Sequence, residues 1–184
     1  MSISPEAANQ VYREADCLHN DKDVEEALGR MAGAITEQLA DTNPLVLCVM
    51  TGGIIPAARL MMRLDFPLQI DYIHATRYGK ATTGGALEWI VRPRESLVSR
   101  TVLGVDDILD EGRTLAAIVG DCRGAGAKAV YSAVLVDKQH NRREGIEAAD
   151  FTGLTVPDRY VFGYGMDYKG YWRNAPGIFA VKGL

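Results

Sequence analysis

Between residues 45 and 138, short apolar runs alternate with segments of helical spacing, and this alternation constrains the fold more than any other feature. LVLCVM (45–50) is apolar throughout and bounded by Asn43-Pro44 and TGG, as in a strand covered on both faces. IIPAARLMMRL (54–64) reads as a helix with Pro56 in its first turn. Strand candidates follow at 68–75, 101–105 and 128–138, with a second helix at 114–126 that ends in glycines. ALEWIV (86–91) alternates and reads as the return arm of a hairpin. Upstream, Val24, Leu28, Met31, Ile35 and Leu39 recur at spacings of three and four, which predicts a helix over 22–40 capped by Asp21 or Asp23. Residues 4–16 also read as helix, and shorter strands are expected near 151–156, 160–164 and 178–182. Strands alternating with helices predict an α/β fold: a mainly parallel central sheet with helices on both faces. The length, 184 residues, suits one domain.

In such sheets ligands bind beyond the carboxyl ends of the strands. Three polar segments follow predicted strands there, TGG (51–53), DDILDEGRT (106–114) and DKQHNRR (137–143), and together they form one rim. TRYGKATTGG (76–85) is basic, glycine-rich and without apolar period, long enough to fold over the rim as a mobile lid.

The acidic segment has a physical reading of its own. Gly112 allows a tight turn where a side chain would obstruct a ligand. The amides from Asp110 to Thr114 open a helix, and free N–H groups at a helix N-terminus form an anion site. The Thr114 hydroxyl adds a donor. The spacing of the nucleoside-triphosphate loop, GxxxxGK[ST], is absent. Asp106 and Asp107 end the strand, placed to accept from vicinal sugar hydroxyls or to engage Mg²⁺. Asp110 lies beside the carbon that would carry a leaving group. Taken alone, a charge run before a helix is usually a solvated cap; strand, carboxylate pair, two apolar residues, Asp, Gly and Thr in succession are more specific.

VLGVDDILDEGRT resembles the phosphoribosyl-pyrophosphate motif of type I phosphoribosyltransferases. LVLCVMTGG (45–53) resembles the pyrophosphate loop of the hypoxanthine-guanine branch of that family, which often holds a non-proline cis peptide. LVDK (135–138) with Arg142 resembles its purine-binding strand end, and PDRYVFGYGMDYKGYWRN (157–174) its C-terminal purine and pyrophosphate segment. The likeness runs from about residue 20 to the C-terminus.

The resemblance implies a core at about 22–140 and a small hood built from the N-terminal residues and about 150–184. It implies that Asp110 is the general acid/base at the purine imidazole nitrogen. Asp106, Asp107, Asp110, Glu111, Gly112, Arg113 and Thr114 would bind ribose and 5′-phosphate. Thr51, Gly52, Gly53, Arg77, Tyr78 and Arg173 would hold pyrophosphate, and Lys138, Tyr160, Val161 and Asp167 the purine. Asp106 and Asp107 would engage Mg²⁺, and Asp167 would contribute to a second metal. The chain departs from the family in two places: Arg77 stands where Ser is common, and Thr51 where Lys often precedes the two glycines. The loop arginine would compensate for the missing lysine in charge.

The implied reaction is phosphoribosyl transfer from phosphoribosyl pyrophosphate to hypoxanthine or guanine, giving IMP or GMP and pyrophosphate. A formal net charge of −4 argues against an extended nucleic-acid surface and so against a regulator that keeps the fold as a sensor. Transfer to xanthine or a pyrimidine is the alternative within enzymes. Three widely spaced cysteines make no disulfide framework. Cys48 reads as core, and Cys17 with His19 lacks the second pair of a zinc set. No signal peptide and no membrane-length apolar run is present, so a cytoplasmic homo-oligomer, dimer or tetramer, without membrane partner is expected.

Overall fold

The structure, a computed structural model, describes residues 3–77 and 87–183. Helix α1 (Pro5–Glu14) is followed by strand β1 (Asp16–Asn20), so the first helix is shorter than its polar pattern suggests. Helix α2 (Asp21–Leu39) buries Val24, Leu28, Met31, Ile35 and Leu39, the face read from the sequence. Its cap is neither Asp21 nor Asp23 alone: Asn20 accepts from the Asp23 amide while Asp23 accepts from the Asn20 amide, a reciprocal box that satisfies two otherwise unpaired donors.

Then come β2 (Leu45–Met50), α3 (Ile54–Met61), β3 (Gln69–Arg77), β4 (Leu87–Val91), β5 (Thr101–Leu109), α4 (Arg113–Gly124), β6 (Ala129–Gln139) and β7 (Phe151–Pro157). The main sheet has six strands in the order β4-β3-β2-β5-β6-β7; all pairs are parallel except β3 with β4. β2 is central and buried along nearly its whole length, as its unbroken apolar run requires. α2 and α3 cover one face, where Leu28, Ile35 and Leu60 meet Val46, Leu103 and Leu135. α4 covers the other, where Ile118 and Cys122 meet Leu45, Leu47 and Val102.

β5 continues beyond Val105 to Leu109 because β6 is long enough to pair with it to the end, Ile108 with Val136 and Leu109 with Asp137. The acidic pair therefore lies inside the last stretch of strand rather than after it. α3 stops at Met61, short of the expected Leu64.

A second, antiparallel sheet has the order β1-β9-β8, with β8 (Val161–Phe162) and β9 (Gly177–Ala180). β7 belongs to the main sheet, and the C-terminal strands of the second sheet begin at Val161. Tyr12, Phe162 and Phe179 pack together against this second sheet, with Tyr12 stacked on Trp172 at 4.5 Å. The expected lid at 76–85 falls almost wholly outside the described residues. Among those described, no helix is long and apolar enough to cross a membrane.

Candidate active site

Where β5 ends, the chain makes a turn that only glycine suits. Gly112 has φ 78°, and a Cβ there would sit 2.4 Å from the Ile146 carbonyl oxygen. The 144–146 segment closes on this turn: the amides of Glu144 and Ile146 donate to the carbonyls of Glu111 and Gly112 at 3.0 and 3.3 Å. α4 opens directly behind Gly112, and no side chain caps its first turn. Asp106, Asp107, Asp110, Gly112 and Thr114 line a concave cradle there. The helix starts at Arg113, so the amides before it belong to the turn. Glu111 and Glu144 both pair with Arg113. This ties the Arg113 side chain to its acidic neighbours, and Arg113 is not among the residues that line the cradle.

Asp106 and Asp107 are each bonded to the amide of the following residue, at 2.9 and 2.8 Å. Burial, and for Asp106 the charge of Asp107, push both carboxyls upward, Asp106 well above the ordinary range. Arg173, 4.0 Å from Asp107, offsets this only in part. Arg173 also pairs with Asp167 and donates to the Gly165 carbonyl.

The 51–53 loop enters from β2 through a cis Met50–Thr51 peptide. A Cβ on Gly52 would collide with the Asp107 carboxylate at 1.9 Å, and one on Gly53 with the Val105 carbonyl at 2.5 Å. Both glycines are therefore required by close approach to the acidic strand. Thr51 is exposed beside them. Arg77 ends β3, its side chain undescribed, and Tyr78 lies outside the described residues.

A second cleft, of about 300 Å³, opens beside the cradle and is lined by Asp107, Asp110, Lys138, Tyr160, Val161 and Asp167 among others. Its volume is at the lower end for small-ligand sites. Lys138 Nζ donates to Asp110 Oδ2 at 2.8 Å from a nearly buried position. Tyr160 is exposed rather than core, and Val161 is buried in β8. Asp167 is held by the Gly170 amide at 2.7 Å.

Two further residues escape a reading of the sequence. His140 Nε2 lies 2.7 Å from Asp110 Oδ1, and the ring is only 3% exposed. Arg143 pairs with Asp137 and donates to the carbonyls of Asp110 and Lys138 at 2.8 and 3.0 Å, binding the ends of β5 and β6 together. Arg142, which the sequence favoured, turns outward to Asp158. Both residues stand in the polar rim segment DKQHNRR, but nothing in that string marks which side chains turn inward.

Burial alone would raise the Asp110 carboxyl; hydrogen bonds from Lys138 and His140, with the charge of Lys138, outweigh it and hold the group below the ordinary aspartate value. Asp110 is thus an ionised acceptor at the boundary of cradle and cleft. Among the described residues no three His, Cys, Asp or Glu side chains stand together as a metal cage.

The phosphoribosyl transferase domain family matches residues 14–169. The hypoxanthine-guanine phosphoribosyltransferase of Bacillus subtilis is 32% identical over 90% of this chain and 92% of its own. The hypoxanthine-guanine-xanthine phosphoribosyltransferase of Tritrichomonas foetus is 30% identical over 90% of each chain. Among solved structures, a hypoxanthine phosphoribosyltransferase from Staphylococcus aureus superposes with a TM-score of 0.87 at 25% identity, over 93% of this chain and 94% of that one.

Proposed function

The chain belongs to the phosphoribosyltransferase family, and we propose that it acts in purine salvage, transferring the phosphoribosyl group of phosphoribosyl pyrophosphate to hypoxanthine or guanine. The observation that carries this reading is the Lys138–Asp110 pair at 2.8 Å inside the cleft. A 6-oxopurine presents its 6-oxygen and N7 side by side on one edge. An ammonium, which only donates, suits the oxygen. A carboxylate, which only accepts when ionised, suits a protonated N7. Tyr160 stands at the same cleft with an exposed ring, able to stack on the base.

In this reading the 5′-phosphate sits on the backbone of 110–114 and the Thr114 hydroxyl, at the uncapped start of α4. Asp106 and Asp107 face the ribose, and Gly52 and Gly53 let pyrophosphate approach the main chain. Arg173 adds a cation 4.0 Å from Asp107. As the anomeric C–O bond breaks and N9 bonds to C1′, positive charge develops on the ribose beside these carboxylates. Asp110 takes the N7 proton, and the pyrophosphate leaves with the bonding electrons.

The donor set fits Mg²⁺. Asp106 and Asp107 are hard oxygen ligands whose ionisation is resisted by burial, so a divalent cation would relieve the repulsion between them. One or two protein carboxylates with the remaining ligands from substrate oxygens and water is the usual arrangement for this ion, which agrees with the absence of a three-carboxylate cage among the described residues. Bound there, Mg²⁺ would neutralise the charge of the leaving pyrophosphate.

Ile54, Ile70 and Tyr72 are exposed along one apolar groove between α3 and β3 that a second copy would cover, consistent with a homo-oligomer. Free cysteines without a disulfide among the described residues suit a reducing cytoplasm. The test is direct: with phosphoribosyl pyrophosphate and Mg²⁺, hypoxanthine and guanine should yield IMP, GMP and stoichiometric pyrophosphate. Turnover of orotate or uracil with neither purine used would overturn the reading.

A further inference from the structure

We propose that His140 is a positioning residue for the reaction, holding Asp110 in its working orientation through a hydrogen bond from Nε2–H. The inference rests on the reading of Asp110 as the group that accepts the purine proton.

The tautomer follows from geometry. The backbone amide of Arg142 lies 2.9 Å from His140 Nδ1 and can only donate. Nδ1 is therefore the acceptor, and the ring proton sits on Nε2, 2.7 Å from Asp110 Oδ1. The turn from His140 to Arg142 thus fixes both the ring and the direction of its donor.

A second donor on Asp110 has a specific use. In the structure Lys138 holds Oδ2, but a bound 6-oxopurine claims the same ammonium for its 6-oxygen. Asp110 then needs an anchor that the base does not take away. His140 meets that need because it is buried and is not part of the cleft lining. The other groups around Asp110 cannot replace it. Arg142 Nη2 is 3.9 Å away and committed to Asp158, while Arg143 binds the Asp110 carbonyl rather than its carboxylate. Asp107 shares the cleft but carries like charge. With Lys138 claimed by the base, the bond from His140 keeps Asp110 in one orientation, which is what a proton acceptor in a bimolecular transfer requires.

Two amide substitutions separate this role from packing. In His140→Gln, the side-chain NH₂ can reach the position of Nε2 and donate to Asp110. In His140→Asn, the shorter side chain can still accept from the Arg142 amide but cannot reach Asp110. Single-turnover rates of nucleotide formation keep product release from masking the step. The Gln variant should stay within about threefold of wild type, and the Asn variant should lose about tenfold, a loss of the size expected for a hydrogen bond to a charged group. KM for the base and for phosphoribosyl pyrophosphate should stay within about twofold in both. The acid limb of the rate profile should move to higher pH in the Asn variant only, because a carboxylate that loses a donor becomes easier to protonate.

Equal loss in the two variants, no loss in either, or a loss confined to KM would overturn the proposal. Nitrogen-15 spectra of the wild-type imidazole need no variant: the Nε2–H tautomer is expected, and the Nδ1–H tautomer would contradict it. Asp110→Asn assayed alongside separates the two levels. If it retains the wild-type rate, the role of Asp110 falls. If it fails while His140→Asn does not, only the role of His140 falls.

Discussion

The cradle at the start of α4 and the cleft beside β6 share Asp107 and Asp110 but are assembled in different ways. The cradle is lined by residues 106–112, 114 and 115, all from one short stretch of chain. Its proposed ligand contacts are mostly main-chain amides, and its shape depends on one positive-φ glycine. The cleft draws on β5, on Lys138 from β6, and on the segment from Tyr160 to Asp167. Its proposed contacts are mostly side chains brought together from separate elements, as Lys138 and Asp110 are. Phosphate is the same in every substrate of this class, so a local device suffices for it. A base is recognised by the pattern of its edge, and reading that pattern needs donors and acceptors brought in from separate elements.

If this division is right, substitutions should fall into separable classes. Asp110 lies on the shared wall, so Asp110→Asn should do the greatest damage: about 10²–10⁴-fold in single-turnover rate, the usual contribution of a general acid/base group. A rate within about twofold of wild type would remove Asp110 from the chemistry.

Lys138→Gln perturbs the cleft alone. An amide can accept as well as donate, so the preference for hypoxanthine over adenine should shrink by about ten- to a hundredfold, the worth of a charge-assisted bond. KM for phosphoribosyl pyrophosphate should hold steady. Gly112→Ala perturbs the cradle alone. It forces an alanine to φ 78° against the Ile146 carbonyl, at a cost of about 1–3 kcal/mol. KM for phosphoribosyl pyrophosphate should rise about tenfold with the ranking of bases unchanged. If either variant shifted both quantities together, cradle and cleft would be one unit.

The smallest effect concerns stability. Asp106 has its folded-state pKa raised above the unfolded value, so folding is favoured below the unfolded pKa and penalised as the pH rises through the folded one. Asp106→Asn removes that penalty. In chelator at neutral pH, the Tm should rise by roughly 2–4 °C, the shift that about 1 kcal/mol gives in a chain of this size. The gain should vanish by about pH 3, where the unfolded carboxylate is protonated as well. A lower Tm at neutral pH would show that the carboxylate is satisfied without metal.

The same division explains what could be read from the sequence. The central sheet and its covering helices follow from apolar periodicity, because a strand such as LVLCVM states its own burial. The cradle was legible because one string carries all of it. The cleft was legible only by likeness to a family; Lys138 and Tyr160 viewed singly are an ordinary strand-end lysine and an ordinary aromatic. His140 and Arg143 were missed because their roles depend on how residues 140–146 fold back onto the turn at Gly112. A polar rim segment does not announce which of its side chains will be buried. Strand β1 was missed for a related reason: Asp16–Asn20 becomes a strand only by pairing with β9, more than 150 residues away in the chain.

The central claim is that the Lys138–Asp110 pair selects a 6-oxopurine, and internal competition tests it most directly. Hypoxanthine and adenine at equal concentration would share a limiting pool of phosphoribosyl pyrophosphate with Mg²⁺, and the ratio of IMP to AMP gives the ratio of kcat/KM values. A site that demands one particular hydrogen bond can reject an analogue lacking it by about 10⁴-fold, so IMP should exceed AMP by at least about 10³-fold. A ratio near one would mean that this pair does not read the base.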